Sequence, residues 1–282
     1  RLITKKWSKW IQKASILEAP GTHKSQKVWT NEPLENTWKN ILQQTQKKWK
    51  KQNYKGAYFY SYCTKSSHFK HVLNEALKND IHIETSSAFD IDIVKALKKE
   101  GKIKDHTYVI CNGFKRDQYI KNIADLINSG HKNCIPIIDN FEEISLLQKE
   151  TTKPFKVGIR IASEEEPKFE FYTSRLGIGY KNIVSFYERE IAENSQVELK
   201  MLHFFINTGI KDNAYYWNEL MKCLKVYTSL KKVCPTLDSL NIGGGFPIKN
   251  SLGFEFDYEY MIDEIISQIK QACDDAGVDV PS

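Results

Sequence analysis

At residues 60–67 the chain reads Tyr60-Ser61-Tyr62-Cys63-Thr64-Lys65-Ser66-Ser67, a short β-rich run with a lysine directly after it and then a polar turn. The same unit, a β-rich run followed by a longer helical pattern, recurs to the end of the chain. The predicted strands are 57–62, 81–85, 108–111, 134–138, 155–161, 199–206 and 237–242. The predicted helices are 69–78, 91–99, 117–128, 141–149, 183–192, 215–233 and 258–277.

Seven strand–helix units in succession predict a parallel sheet covered by helices, and hence an α/β protein. Their unbroken repetition fits a (β/α)8 TIM-type barrel better than an open sheet. A Rossmann-type sheet would need a GxGxxG turn after its first strand, and the chain has none. Seven units do not close an eight-stranded barrel, and residues 279–282 resemble the start of an eighth strand. We therefore expect a barrel truncated before its eighth strand, either as a fragment or completed by another chain.

Composition excludes several classes of protein. Of the 282 residues 41% are hydrophobic, which suits a globular core. There is no run of about 18 apolar residues that could span a membrane and no secretory signal pattern. The six cysteines form no CxxC pair, so neither a disulfide framework nor a metal site is expected. The pattern is typical of a reduced, cytoplasmic protein.

The first part of the chain differs in kind from the rest. Residues 1–56 hold thirteen Lys or Arg against three Asp or Glu, whereas the remaining residues hold 28 against 32. Five of the six tryptophans also lie in this stretch. We predict a basic, Trp-rich N-terminal extension over 1–53 and a barrel over 54–282. A solvated helical extension is favoured for the first part, and nucleic-acid binding is the weaker alternative.

Two features at the ends of predicted strands bear chemistry. Lys65 directly follows the first strand, and the carboxyl ends of the strands form the active face of a barrel. A partly desolvated lysine can attack an aldehyde there, although a plain surface lysine is the alternative. The turn Gly243-Gly244-Gly245 follows the seventh strand, where backbone amides of barrels commonly bind phosphate, with a tight turn as the alternative. Together they suit a phosphorylated aldehyde such as pyridoxal 5'-phosphate.

At these residues the chain resembles a known family. From about residue 54 onward it is similar to the barrel of the pyridoxal-phosphate-dependent decarboxylases of alanine-racemase-like fold, which include ornithine, diaminopimelate and biosynthetic arginine decarboxylases. The resemblance is greatest to biosynthetic arginine decarboxylase of the Bacteroidetes type. Besides the triple glycine, the stretches that carry it are Tyr62-Cys63-Thr64-Lys65, Ile110-Cys111-Asn112-Gly113-Phe114-Lys115 and Met201-Leu202-His203-Phe204.

The resemblance implies a set of site residues. Lys65 would be the Schiff-base lysine and would later donate or accept a proton, with His203 as the second catalytic candidate. The residues that would bind the cofactor, besides Lys65, are Glu84, Ser87, Asp90, Arg160, Phe205, Thr208, Gly243, Gly244 and Gly245. Of these, Thr208 and the three glycines would hold the phosphate.

The chain departs from the family pattern at two places. Phe205 occupies the position where the family sets a histidine against the cofactor ring, and His203 lies two residues earlier on the same strand. Phe205 could stack on the ring, but it has no hydrogen-bond donor. The family's acid facing the pyridine nitrogen, and its C-terminal β-domain, would lie beyond Ser282. We therefore expect poor decarboxylation by this chain alone.

The resemblance implies a decarboxylase that converts L-arginine to agmatine and CO2 in polyamine biosynthesis, as a homodimer in the full-length protein. One alternative keeps the chemistry and changes the substrate to diaminopimelate or a carboxynorspermidine-type amine. An alternative of another class is an inactive, truncated pseudoenzyme or fragment that acts by binding a partner.

Overall fold

A computed structural model of the chain describes residues 31–163, 176–206, 213–246 and 256–282. All strand pairs in it are parallel, in the order β1-β2-β3-β4-β5-β7-β8, with β6 paired to β5 beside this path. The strands are β1 (Ser61–Cys63), β2 (His82–Thr85), β3 (Val109–Cys111), β4 (Cys134–Ile138), β5 (Phe155–Ala162), β6 (Ile178–Gly179), β7 (Val197–Phe204) and β8 (Ser239–Asn241). The predicted α/β fold, a barrel open at one side, is confirmed.

Helices follow the strands and cover the sheet. They are α1 (Asn31–Lys51), α2 (Lys70–Lys78), α3 (Ala88–Lys99), α4 (Asp117–Asn128), α5 (Glu143–Glu150), α6 (Ile183–Glu190), α7 (Asn213–Lys231) and α8 (Tyr258–Ala276). Helix α8 ends as predicted, with Gly277 in the left-handed conformation at φ 65°. Among the described helices, none is long and apolar enough to cross a bilayer.

Each of the seven predicted strands is present, with shifted ends in some cases. The strand predicted over 57–62 begins only at Ser61 and ends one residue later, at Cys63, as β1, and the strand predicted over 199–206 lies two residues earlier, as β7. The sequence pattern did not reveal β6, because two residues are too few to show an alternation. As a result, the sixth and seventh predicted strands are β7 and β8.

The floor of the barrel interior is apolar. Ile110, Ile135, Ile137 and Met201 form a buried cluster separate from the larger core between the sheet and the helices. Gly158 on β5 leaves room for this cluster, since a Cβ there would lie 2.4 Å from the Cδ1 of Ile137. The strands are therefore packed on both faces, as parallel sheets require.

The last residue of the chain lies on the free edge of β8. The N–H of Ser282 donates to the Asp238 carbonyl at 2.7 Å, and the Ser282 carbonyl accepts from the Leu240 N–H at 2.9 Å. These two bonds are the pattern of a parallel pair opposite Ser239. The Ser282 hydroxyl also accepts from the Ala57 N–H at 3.1 Å. Ser282 thus lies between β8 and the segment before β1, where one further strand would complete the barrel.

Helix α1 packs against α2 and forms side-chain hydrogen bonds with α8. The Nζ of Lys48 donates to the Asp263 carboxylate at 2.8 Å, and the amide of Gln52 donates to the same carboxylate at 3.1 Å. The end of α1 is therefore joined to the barrel by side-chain contacts. The predicted domain boundary at residue 53 stays a prediction.

An aromatic cluster closes the amino-terminal end of the strands. The ring of His82 lies between Phe59 and Tyr108, with ring centroids 5.2 and 5.0 Å away. The backbone N–H of Tyr108 donates to Nδ1 of His82 at 3.0 Å, so this nitrogen carries no proton. Burial lowers the pKa of His82 from 6.5 to about 4.

The neutral state of His82 predicts a loss of stability in acid. Between pH 6.5 and about 4 the unfolded chain binds more protons at this residue than the folded chain. The contribution of His82 to the free energy of unfolding should thus be fully present above pH 6.5 and fall by roughly 3 kcal/mol toward pH 4. Substitution His82→Asn keeps an acceptor for the Tyr108 N–H and removes the titration. Denaturant unfolding of both proteins across this pH range should show a shallower decline in the variant, and parallel declines would contradict the assignment.

Candidate cofactor site

The site at the carboxyl ends of the strands is built around the half-buried carboxylate of Glu84 on β2. Its Oε1 accepts from the side-chain amide of Asn112, which follows β3, at 3.2 Å. Its Oε2 accepts from the side-chain amide of Asn241, the last residue of β8, at 3.0 Å. One carboxylate therefore joins three strands across the mouth of the barrel.

His203 on β7 is buried beside this carboxylate, with 1% of its surface exposed. Asn112 accepts the Gly113 N–H on its Oδ1, which fixes the orientation of its amide. Its Nδ2 lies 2.9 Å from Nε2 of His203 and can only donate, so Nε2 is the acceptor. The proton therefore sits on Nδ1, which donates to the Asn241 carbonyl at 3.2 Å. Burial lowers the pKa of His203, in accord with a neutral ring.

Both ring nitrogens of His203 are thus already used. They orient the amide of Asn112 and contact the backbone of Asn241. The catalytic role predicted for His203 stays a prediction, and the contacts described here are those of a positioning residue.

A group of buried charges lies next to this network. Nζ of Lys115 donates to the Glu143 carboxylate at 3.1 Å and to the carbonyls of Gly113 and Ile137. The Asp139 carboxylate lies 3.9 Å from Lys115 and 3.8 Å from Nη1 of Arg160. Neither of its oxygens has a hydrogen-bond partner among the described residues. Burial raises the pKa of Glu143, and Lys115 opposes this shift.

Arg160 lies between the buried charges and the rim of the barrel, the edge formed by the carboxyl ends of the strands. Its guanidinium lies over the ring of Phe205, 5.7 Å from the ring centroid, a cation–π distance. Burial lowers the pKa of Arg160, and the nearby carboxylates of Asp139 and Glu84 oppose the shift. Arg160 and Phe205 were both predicted to bind the cofactor, and their side chains contact each other in the structure.

Lys65 lies at the same rim, with an exposed side chain. The turn that carries it is tied to the sheet, because the Thr64 N–H donates to the Glu84 carbonyl at 2.9 Å. Cys63 is paired with Glu84 in the ladder between β1 and β2. Lys65 lies two residues after Cys63 and therefore close in the sheet to Glu84, which also bonds Asn241.

The glycine turn begins two residues after Asn241. Gly243 has φ 67°, and a Cβ there would lie 2.8 Å from the Phe204 carbonyl, so the backbone has no space for a side chain. Its N–H donates to the side-chain oxygen of Asn241 at 2.8 Å. Gly244 and Gly245 are exposed, and neither N–H donates to any residue in the described part of the chain. Within the described ranges, these two amides at the rim therefore have no protein acceptor.

Ser87 and Asp90 have a local role in the structure. Ser87 caps α3 and accepts from the Asp90 N–H at 3.4 Å, while the Asp90 carboxylate accepts from the Ser86 N–H at 2.9 Å. Ser87 thus caps the helix, and Asp90 reaches back to the residue before the cap. Their predicted contact with the cofactor stays a prediction. Thr208 lies outside the described residues.

The prediction from sequence did not assign the residues that hold the site together. These are Asn112, Asn241, Lys115, Asp139 and Glu143. Asn112 and Lys115 belong to a stretch that carried the family resemblance, and all five lie at or just after strand ends or at a helix start. Position after a strand was a usable signal for Asn112, Asn241 and Asp139.

A lysine after the first strand and a glycine turn after the last, on one rim of a barrel, define a cofactor-binding barrel. The chain belongs to the pyridoxal-dependent decarboxylases: the family model described as "Pyridoxal-dependent decarboxylase, pyridoxal binding domain" matches residues 39–281. The predicted family and the predicted pyridoxal cofactor are confirmed.

Curated and solved proteins support this family. Biosynthetic arginine decarboxylase from Geobacter sp. (strain M21) is 26% identical over 189 residues, which cover 62% of this chain and 30% of that protein. The chain thus spans about a third of the length of this relative. The crystal structure of biosynthetic arginine decarboxylase from Campylobacter jejuni matches with TM-score 0.70 and 19% identity over 89% of this chain and 42% of that one.

A second solved structure has a similar barrel. Diaminopimelate decarboxylase from M. jannaschii, in complex with L-lysine, matches with TM-score 0.73 and 16% identity over 90% of this chain and 58% of that one. At such identities the two structural matches show the shared fold.

The residues present fit a phosphorylated pyridoxal. Lys65 supplies an amine at the rim for the aldehyde, although its side chain is exposed and not desolvated, and the amides of Gly244 and Gly245 suit the phosphate. The close approach of Gly243 to the Phe204 carbonyl leaves space only for a glycine at the start of the turn.

The buried charges predict a large effect of Lys115. Substitution Lys115→Met would leave Glu143 and Asp139 without this cation in the interior, at a cost of about 3–5 kcal/mol in the free energy of unfolding. The exposed Lys121 on α4 offers a matched control, for which Lys121→Met should cost under about 0.5 kcal/mol. The deficit of Lys115→Met should shrink as the pH falls, because Glu143 can then protonate. Denaturant unfolding measures both, and equal losses in the two variants would refute the ion-pair assignment.

Proposed function

We propose that this chain supplies the cofactor-binding barrel of a pyridoxal-phosphate-dependent amino-acid decarboxylase, a carboxy-lyase, with L-arginine as its substrate and agmatine and CO2 as products. The observation that carries the proposal is the Glu84–Asn241 hydrogen bond of 3.0 Å. This bond brings the end of β8, and with it the glycine turn, to the strand beside the Lys65 turn. An amine and an anion cradle thus share one rim.

The side chains at the rim divide the work of holding the cofactor. Lys65 would hold the aldehyde carbon, and Gly244 and Gly245 would hold the phosphate, with Thr208 as a further phosphate ligand. Phe205 would lie against the ring, with its own ring fixed by Arg160 at 5.7 Å. When bound, pyridoxal phosphate supplies an electron sink for the carbanion that CO2 loss leaves behind.

Proton positions at the rim follow from the network around Glu84. His203 is neutral, and its Nδ1 proton is engaged by the Asn241 carbonyl at 3.2 Å. Phe205 has no proton to give. Lys65, exposed at the end of β1, is therefore the candidate to hold and move a proton at the reacting carbon once its amine is free.

The choice of arginine rests on relatives, two of which are biosynthetic arginine decarboxylases. A role in polyamine biosynthesis, a cytoplasmic location and a homodimer in the full-length protein belong to the same proposal. Diaminopimelate is the alternative substrate, because a diaminopimelate decarboxylase shares the fold with TM-score 0.73.

A second candidate function is an inactive, cofactor-binding or partner-binding relative of the decarboxylases. The observation in its favour is Phe205, which puts an aromatic face without a donor beside Arg160, where the family resemblance leads us to expect a histidine. This candidate differs from the first in binding cofactor or partner without releasing CO2.

Covalent attachment of the cofactor to Lys65 gives the first test. Purified protein mixed with pyridoxal phosphate should develop an absorbance band near ~420 nm that borohydride fixes to the chain. The band should be absent in Lys65→Ala and unchanged in Lys121→Ala, which removes an exposed lysine on α4. A band of equal height in both variants would show that the cofactor reacts with lysines at random.

Release of labelled CO2 distinguishes the substrates. With the cofactor bound, we expect kcat/KM for L-arginine to exceed that for diaminopimelate, ornithine and lysine by at least about ten-fold. The assay uses carboxyl-labelled amino acids at equal concentrations, with Lys65→Ala as the blank. Preference for diaminopimelate would support the alternative substrate, and a bound cofactor without CO2 release would support the inactive relative.

A further inference from the structure

The side-chain amide of Asn241 is shared between two partners. Its oxygen accepts from the Gly243 N–H at 2.8 Å, and its nitrogen donates to Oε2 of Glu84 at 3.0 Å. These contacts leave no freedom in the orientation of the amide, because the oxygen must face a donor and the nitrogen an acceptor. The carboxylate of Glu84 thereby orients the group that fixes the start of the glycine turn.

The same contact determines which amides of the turn can bind a ligand. The Gly243 N–H points to Asn241 and is occupied, whereas the exposed Gly244 and Gly245 donate to no residue in the described ranges. From the other side, the Phe204 carbonyl would lie 2.8 Å from a Cβ of Gly243, so the turn is pinned between Asn241 and β7. The first residue of the turn is therefore held from two sides by the protein itself.

We propose that Asn241, oriented by Glu84, is the positioning residue of an anion pocket for a phosphate monoester, acting by occupying the Gly243 amide and turning those of Gly244 and Gly245 outward. The inference rests on the proposed function, because it takes the phosphate of pyridoxal phosphate as the anion. It adds a specific claim: Asn241 contributes to affinity for the phosphate group and not for the pyridine ring.

The chemistry explains why this position holds an amide. Aspartate at 241 could still accept from Gly243, but in its ionised form it could not donate to Glu84 and would set two like charges about 3 Å apart. Alanine would leave the Gly243 N–H and one Glu84 oxygen without these partners. Only a side chain with both an acceptor and a donor serves both neighbours.

Asn112 provides an internal comparison, because it makes the same pair of contacts at another turn. Its oxygen accepts from the Gly113 N–H at 2.9 Å, and its nitrogen donates to the other oxygen of Glu84 at 3.2 Å. The turn that it holds leads to Phe114 and Lys115, whose Nζ is occupied by buried acceptors. Loss of Asn112 should therefore disturb Glu84 to a similar degree without opening the glycine turn.

The experiment compares dissociation constants for pyridoxal phosphate and for pyridoxal, which lacks the phosphate. They are measured by absorbance titration of the whole chain as wild type, Asn241→Ala and Asn112→Ala. We expect Asn241→Ala to weaken pyridoxal phosphate by about ten-fold or more and pyridoxal by less than about three-fold. Asn112→Ala should weaken both ligands by the same factor.

A second variant, Asn241→Asp, keeps the Gly243 contact and serves if the alanine variant does not fold. At pH 8, with both carboxylates ionised, it should lose the preference for the phosphorylated ligand. As the pH falls toward 5 the pair takes up a proton, which restores a donor to Glu84. The preference should then return toward that of wild type measured at the same pH.

The outcomes separate the two claims. Wild type that binds neither ligand overturns the proposed function, and this inference with it. Wild type that prefers pyridoxal phosphate while Asn241→Ala keeps the full preference overturns the inference alone. Equal weakening of both ligands by Asn241→Ala assigns Asn241 a merely structural role and also overturns it. The inference is also overturned if the preference of Asn241→Asp for pyridoxal phosphate over pyridoxal changes with pH no more than that of wild type.

Discussion

The rim of this barrel depends on one carboxylate that accepts from two amides. Glu84 bonds Asn112 and Asn241, and each of these asparagines in turn accepts the N–H of a glycine that begins a turn. A half-buried carboxylate needs such donors, because leaving it unpaired in a low dielectric is costly. Through its two bonds, Glu84 thus orients Asn112 and Asn241, which hold the turns after β3 and β8. The oriented amide of Asn112 in turn fixes the tautomer of His203.

Polar and apolar groups are separated along the barrel axis. The floor is a cluster of Ile110, Ile135, Ile137 and Met201, whereas charges collect above it at the carboxyl ends of β4 and β5. Lys115 lies within 4 Å of both Glu143 and Asp139, and Asp139 lies within 4 Å of Arg160. Each buried charge therefore has a neighbour of opposite sign. This arrangement lets Arg160 reach the rim as a cation while its carboxylate partner stays inside.

The end of β7 differs from the pattern that the family resemblance led us to expect, which has a histidine at position 205. His203 is buried and neutral, with both nitrogens occupied, and Phe205, two residues later, meets the guanidinium of Arg160. An aromatic ring in this place keeps the stacking surface that a cofactor ring needs but offers no proton. Under the proposed function, proton movement would then rest on fewer groups, of which Lys65 is the exposed one.

Much of the fold was predictable, because strands and helices carry their own patterns. The helix over Asp117–Asn128 and the strand Cys134–Ile138 were predicted to the residue, and the cofactor class followed from a lysine after one strand and three glycines after another. Where the alternation was short or the residues aromatic, as at β6 and β1, the prediction missed or overextended the strand.

The partners within the site were decided by tertiary structure alone. Glu84 and Asn241 are separated by 157 positions, and Asn112 and His203 by 91, so no local pattern links them. The type of residue at a strand end, such as Lys65 or the three glycines, predicted a chemical role because each such turn is visible in the local sequence. The pairing of donors with acceptors across the barrel arises only when the curved sheet brings distant strand ends to one rim, because a hydrogen bond requires its atoms to lie within about 3 Å.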